Sequence, residues 1–195
     1  MFWLASCHLA NDNTTLVKYS KAVVKNFMES IAEAHKLAKR TKVMANSYTQ
    51  VHIHFVFVVA GRQCLIEERN RPVIESFMCG VIERFNSKAI AVYCNPDHCH
   101  LLVGMHPSVS IADLVKNVKA LTAKWINDKR LTAWHFNWQA GYGAFACSKH
   151  ELRRVVKYIH NQPIHHGRQS MLDEYKALLI ENQVDFDERY LFTEV

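Results

Sequence analysis

From Tyr48 to Ala60 the chain is apolar on both sides of a two-residue period. Val51, Ile53, Phe55, Phe57 and Val59 fall on one face, and His52, His54, Val56 and Val58 on the other. A half-solvated strand alternates apolar and polar residues. A run that is largely apolar on both faces belongs in the middle of a sheet, covered on both sides. Gly61-Arg62-Gln63 ends the run.

The elements that follow fit such a sheet. Arg71-Pro72 opens a helix with proline in its first turn, and Val73, Ile74, Phe77, Val81, Ile82 and Phe85 form its apolar stripe. Ala89 to Cys94 reads as a second strand, Asn95-Pro96-Asp97 as a tight turn, and His98 to Met105 as a third strand, antiparallel to the second. Ser108 or Ser110 then caps a helix with the stripe Ile111, Leu114, Val118, Leu121 and Trp125. A further short strand falls within Phe136 to Phe145. The order strand, helix, strand, strand, helix, strand is the split βαβ of ferredoxin-like domains: an α/β (α+β) sandwich on an antiparallel sheet. After it, Ser148 and Glu151 form a capping box for a helix running to about Gln162, where Pro163 stops it. Met171 to Gln183 is a last amphipathic helix, followed by an acidic tail. Ahead of the sheet, Leu16 to Ala38 reads as an amphipathic helix. The expected division is 1–43 as an N-terminal helical extension or upstream-translated segment, 44–170 as the catalytic domain, and 171–195 as C-terminal helix and tail.

A chain of 195 residues, 49% hydrophobic and 22% charged, suits one soluble domain with an appendage. No apolar run reaches the length of a membrane span, and Met1-Phe2-Trp3-Leu4-Ala5 makes no convincing signal peptide. The six cysteines (Cys7, Cys64, Cys79, Cys94, Cys99 and Cys147) include no C-x-x-C pair, which argues against a zinc ribbon and fits a reducing, cytoplasmic setting. The net charge of +6 is uneven: residues 44–170 carry fifteen Lys/Arg against eight Asp/Glu, and residues 171–195 carry two against seven. A basic central region points to nucleic acid as a partner, although a merely solvated surface has the same composition.

The chemistry concentrates in two stretches. In Asp97-His98-Cys99-His100-Leu101-Leu102 the two histidines point to one face of a strand and offer a metal two imidazoles. His52 and His54 repeat the spacing but read as packing residues of a central strand. In the helix after Ser148, Leu152, Val155, Val156 and Ile159 make the core face, and Tyr158 and Gln162 share a stripe about 90° from it. Gln162 offers an amide oxygen as third ligand, and Tyr158, one turn before it, a nucleophile. Tyr142 is the rival nucleophile; His160, His165 and His166 are further candidate ligands. Lys116 and Lys119 on the preceding helix, and Arg154 and Lys157 beside Tyr158, would meet phosphate. A histidine-ligated hydrolase of unrelated chemistry would need a carboxylate base, for which Asp97 is the nearby candidate.

These two stretches, more than fifty residues apart and in this order, resemble the small single-tyrosine HUH transposases of the IS two-hundred type. Asp97 to Leu102 resembles the histidine–bulky residue–histidine motif, and Val155-Val156-Lys157-Tyr158-Ile159-His160-Asn161-Gln162 resembles the nucleophile helix. The segment with Trp138 and Gly141 to Phe145, and the opening strand ending in Gly61-Arg62, also fit. Two features depart from the family: Cys99 stands where an aliphatic residue is usual, and the family usually lacks a segment like 1–43. The resemblance covers about Met44 to His166 and implies His98, His100 and Gln162 as ligands of Mg2+ or Mn2+, with Tyr158 as nucleophile. It implies cleavage and rejoining of single-stranded hairpin DNA through a 5′-phosphotyrosine. It also implies a homodimer in which Tyr158 serves its own subunit or acts in trans, and Arg62, Lys116, Lys119, Arg154 and Lys157 are the expected DNA contacts. The alternative is a domesticated, non-mobile relative that binds hairpin nucleic acid without moving an element.

Overall fold

The computed structural model describes residues 48–165 and 170–191. The expected extension 1–43, and His166, lie outside the described residues, as does the side chain of His165.

Four strands form one antiparallel sheet: β1 (Val51–Val58), β2 (Lys88–Cys94), β3 (His98–Met105) and β4 (Gly143–Ala146), in the spatial order β2-β3-β1-β4. Helix α1 (Arg71–Arg84) connects β1 to β2, and α2 (Ile111–Asp128) connects β3 to β4. β3 therefore lies between the strands joined by α1, and β1 between those joined by α2. This is the ferredoxin-like split βαβ that the element order implies. β1 is central, paired with β3 on one side and β4 on the other, as its two apolar faces require. Ser110 is the cap of α2; its hydroxyl accepts from the Asp113 N–H at 3.0 Å.

The register decides what each face carries. Val58 pairs with His98, Phe57 with Cys99, and Val56 with His100. Antiparallel partners project to the same side, so Phe55, Phe57, Val59, Cys99, Leu101 and Val103 form one face, packed on α1 through Ile74, Met78, Val81 and Ile82 and on α2 through Leu114, Val115 and Val118. The opposite face holds His54, Val56, Val58, His98, His100 and Leu102. It is covered by α3 (Leu152–His160) and α5 (Met171–Glu181), with the short turn α4 (Gln162–His165) between them.

Three boundaries differ from expectation. The strand sought within Phe136–Phe145 begins at Gly143; before it, the segment forms an isolated bridge from Trp138 to Val59 and packs its rings on the sheet. Of the capping box only the returning half forms: the Ser148 N–H donates to the Glu151 carboxylate at 2.9 Å, and the helix starts at Leu152. That helix closes at Asn161, and Gln162 opens a new turn with Pro163 in it, as suits a ring that cannot donate. Among the described residues no helix is long and apolar enough to cross a membrane.

Candidate metal and nucleophile centre

His98 and His100 stand on adjacent same-face positions of β3, both fully buried. The Nδ1 atom of each ring meets a neighbour that fixes its orientation, and His98 Nε2 also meets the Asn95 amide. His98 Nδ1 lies 2.7 Å from Asp97 Oδ1; an ionised carboxylate only accepts, so Nδ1 carries the proton and Nε2 keeps its lone pair. His100 Nδ1 lies 3.1 Å from Nε2 of His54, whose ring stacks on it with centroids 5.3 Å apart. Burial pushes the His54 imidazole down from 6.5 to about 4. It is therefore neutral at pH 7, and its Nε2 is suited to accept from His100. In this arrangement both Nε2 atoms face the same point.

A carboxylate faces that point as well. Glu174, on α5, is 7% exposed; its Oε1 lies 3.6 Å from His100 Nε2 and its Oε2 3.8 Å from His98 Nε2. The ligand atoms of His98, His100 and Glu174 fall within 4.8 Å of one another. Two imidazoles and one carboxylate, the imidazoles oriented by Asp97 and His54, suit a divalent cation.

Tyr158 reaches the cluster from α3. Its ring sits edge-on to His100 and His54, with centroids 5.8 and 6.0 Å away, and its hydroxyl donates to Glu174 Oε1. Burial, then the adjacent Glu174 charge and that hydrogen bond, push the Tyr158 phenol far above its usual value of 10. Gln162 is fully buried. Its Nε2 donates to the same Glu174 oxygen, and its Oε1 accepts from Asn95 Nδ2 at 3.0 Å. The expected ligand oxygen of Gln162 is thus turned to Asn95, whose amide also contacts His98 Nε2 at 2.8 Å. Asn95, His98, Gln162, Glu174 and Tyr158 form one connected network.

Sequence reasoning singled out His98, His100, Tyr158 and Gln162, and they converge. It missed Glu174 and Asn95 and set His54 aside as a packing residue. His54 does pack, against His100. Glu174 had a signal: the buried side of α5 is Met171, Glu174, Tyr175 and Leu179, a carboxylate inside an apolar stripe. α5 is seated closely. A Cβ at Gly143 would come within 2.7 Å of the Tyr175 ring, so glycine there lets the helix approach β4. Cys99 points away from the cluster into the core against Cys94 and Met78, as a small apolar residue should.

The expected DNA contacts are divided between the two sides of the sheet. Arg62 lies 3.9 Å from Asp97 Oδ2 with its side chain largely buried. Lys119 donates to the carbonyls of Gln139 and Gly141 at 2.6 and 2.7 Å. Lys116 is exposed on α2, on the other side of the sheet, beside a cavity of about 400 Å³ lined also by Trp138 and Tyr142. Tyr142, the rival nucleophile, packs near Phe55 and so lies on the face away from the histidines. Arg154 pairs with Glu151 and Glu181 at the surface, and Lys157 is exposed on α3.

The ferredoxin-like sheet thus brings two imidazoles, a carboxylate and a tyrosine hydroxyl to one buried point, a donor set that could hold a divalent cation. Residues 47–162 match the family described as Transposase IS200 like, and the chain belongs to that family. Among solved structures it is similar to a protein of Deinococcus radiodurans R1 assigned as a transposase. That match has 20% identity, covers 63% of this chain and 98% of that one, and has a TM-score of 0.49. It is also similar to a REP-associated tyrosine transposase bound to a REP hairpin, at 16% identity, covering 65% and 75% of the two chains with a TM-score of 0.44. No curated protein matches.

Proposed function

We propose that this transposase cleaves and rejoins single-stranded DNA carrying a hairpin, with Tyr158 as the nucleophile. The observation that carries the reading is the contact of the Tyr158 hydroxyl with the carboxylate that faces both His98 and His100. Tyr158 Oη attacks the phosphorus, the bond to the 3′ oxygen breaks, and the 5′ side stays on the protein as a phosphotyrosine. The phenol loses one proton and the departing 3′ oxygen takes one up, so the exchange needs neither net proton nor ATP. His98 and His100, with an oxygen from Gln162 or Glu174, would hold Mg2+ or Mn2+. The cation would neutralise phosphoryl charge and align the phosphate. Asp97 and His54 keep both Nε2 lone pairs turned inward. Ile159 and Leu102 close the floor beside the tyrosine and exclude water from it.

In this reading the catalytic unit is the domain 44–170 together with α5, and the protein works as a homodimer. The contact of Tyr158 with its own chain's His100 supports service in cis. Lys157, exposed beside Tyr158 on α3, is the basic residue best placed for the DNA backbone.

The test is a strand-transfer assay. The full chain is mixed with labelled single-stranded hairpin DNA from the locus flanking its gene, plus Mn2+, and covalent adduct is read on a denaturing gel. An adduct is expected, lost in Tyr158→Phe and with chelator, while hairpin binding persists in that variant. Adduct formation by Tyr158→Phe would remove Tyr158 from the role. Hairpin binding with no adduct from the unaltered chain would leave the non-mobile binding protein as the reading.

A further inference from the structure

We propose that Glu174 is the third protein ligand of the cation and also the group that holds Tyr158 when the cation is absent, so that cation and nucleophile compete for one carboxylate oxygen. The inference rests on the preceding reading in one respect only, that His98 and His100 face a divalent cation.

Three observations carry it. First, one atom serves two purposes. Glu174 Oε1 accepts from Tyr158 Oη and Gln162 Nε2 and is also the oxygen nearest His100 Nε2, at 3.6 Å. Second, the carboxylate is 7% exposed, and among the described residues the two imidazole Nε2 atoms lie 3.6 and 3.8 Å from it, with no lysine or arginine paired to it. A buried carboxylate needs compensating positive charge, and a hydroxyl and an amide supply only dipoles. A divalent cation at the point faced by both Nε2 atoms would supply the charge. Third, Glu174 lies on α5, beyond the matched segment 47–162, so this ligand comes from a part of the chain outside the family match.

The consequence is a latch. Without the cation, the Tyr158 hydroxyl is bound to the carboxylate. Glu174, if it held a cation, would give up that hydrogen bond and leave the hydroxyl available. Glu174 is in this sense a positioning residue for Tyr158 as well as a ligand. Gln162, bonded to both Glu174 and Asn95, holds the carboxylate in reach of either partner.

The competition has a thermodynamic signature that needs no DNA and no turnover. Mn2+ alone is titrated into the full chain, with free ion followed by electron paramagnetic resonance, for the unaltered protein, Glu174→Gln, Tyr158→Phe and the double variant. Thermal melts accompany each. Glu174→Gln should weaken Mn2+ binding about tenfold or more. Tyr158→Phe should tighten it, roughly threefold to tenfold, because the carboxylate no longer has a hydroxyl to release. In the Glu174→Gln background the same tyrosine change should have no effect, and this non-additivity is the mark of competition. If Glu174→Gln fails to fold, the Tyr158→Phe titration decides alone.

Unchanged or weaker Mn2+ binding in Tyr158→Phe would overturn the latch. Unchanged affinity in Glu174→Gln, with loss in His98→Ala, would overturn Glu174 as ligand and leave the strand-transfer reading standing. An intact competition cycle with no DNA adduct would do the reverse.

Discussion

The two faces of the sheet are made by the same strands and do opposite work. Along β3 the odd positions Cys99, Leu101, Val103 and Met105 are buried in an apolar layer under α1 and α2. The even positions His98 and His100 are buried just as deeply, yet their neighbours are Asp97, Asn95, His54, Glu174 and Tyr158. Burial by itself therefore says nothing about role here. On one face it removes hydrocarbon from water, which drives folding. On the other it strips water from groups that prefer it, and each must be compensated by a designated partner. The first face stabilises the domain, while the second is held in place by it.

The sharpest way to break this contrast is to truncate one residue on each face. Phe57 is fully buried and packs edge-on to Trp138 with centroids 4.7 Å apart. Phe57→Ala should cost about 3–5 kcal/mol in urea unfolding, the usual range for an aromatic removed from a tight core. His98→Ala, equally buried, should cost less, about 1–3 kcal/mol, since what it removes is the ring that buried Asp97 and Asn95 bond. Adduct formation should nonetheless disappear. Equal destabilisation by the two changes would mean that the polar face is a stability element after all.

Acid separates the faces in a second way. His54 titrates near 4 when folded because burial disfavours its charged form. Above pH 6.5 the ring is neutral in both the folded and unfolded chains, and its contribution is constant. Between 6.5 and 4 the unfolded chain takes up a proton that the folded chain refuses, so stability falls as pH drops. The loss from this residue levels off near 4 at about 3 kcal/mol. Urea midpoints at about pH 7, 5.5 and 4 measure the fall, and His54→Phe should flatten it. Phe57→Ala should shift all three midpoints alike, because the phenyl ring carries no proton to titrate. A fall of unchanged steepness in His54→Phe would assign the acid sensitivity to another group.

The apolar face was legible in the sequence and the polar one only in part, for a physical reason. Strand period two and helix period 3.6 report which residues share a face, and so β1, the β2–β3 hairpin, α1 and α2 follow from Val51–Val59, Ala89–Met105 and two apolar stripes. The same rule put His98 with His100 and Tyr158 with Gln162. Joining the pairs took the resemblance, since periodicity is local and their meeting depends on α3 crossing the sheet. Register was the missing quantity for His54: the pairing of Val56 with His100 brings it beside the motif, and no single strand contains that information. Glu174 was harder still. Its place depends on α5 folding back over β4, which Gly143 permits through its lack of a side chain. The partners of the basic residues were hidden differently, because a charge count cannot tell that Lys119 bonds two carbonyls or Arg154 two carboxylates.

The smallest effect should come from the least visible difference, the one between the two histidines themselves. His98 is oriented by a charged acceptor, Asp97, and His100 by a neutral one, His54. Asp97 can only accept, so it fixes the proton on Nδ1 and the lone pair on Nε2. An asparagine in its place could turn its amide and donate to Nδ1, moving the proton to Nε2 and aiming an N–H at the cation's position. Asp97→Asn should therefore weaken Mn2+ binding about tenfold to a hundredfold while the melting temperature changes little. His54→Gln offers His100 an acceptor that is neutral, as imidazole is, and should weaken it less. The order of the two losses, read by the same Mn2+ titration, tests whether a charged or a neutral partner matters more to a ligating imidazole in this sheet. If His54→Gln proved the costlier change, the stacked ring contact rather than the proton's placement would be what holds His100 in register.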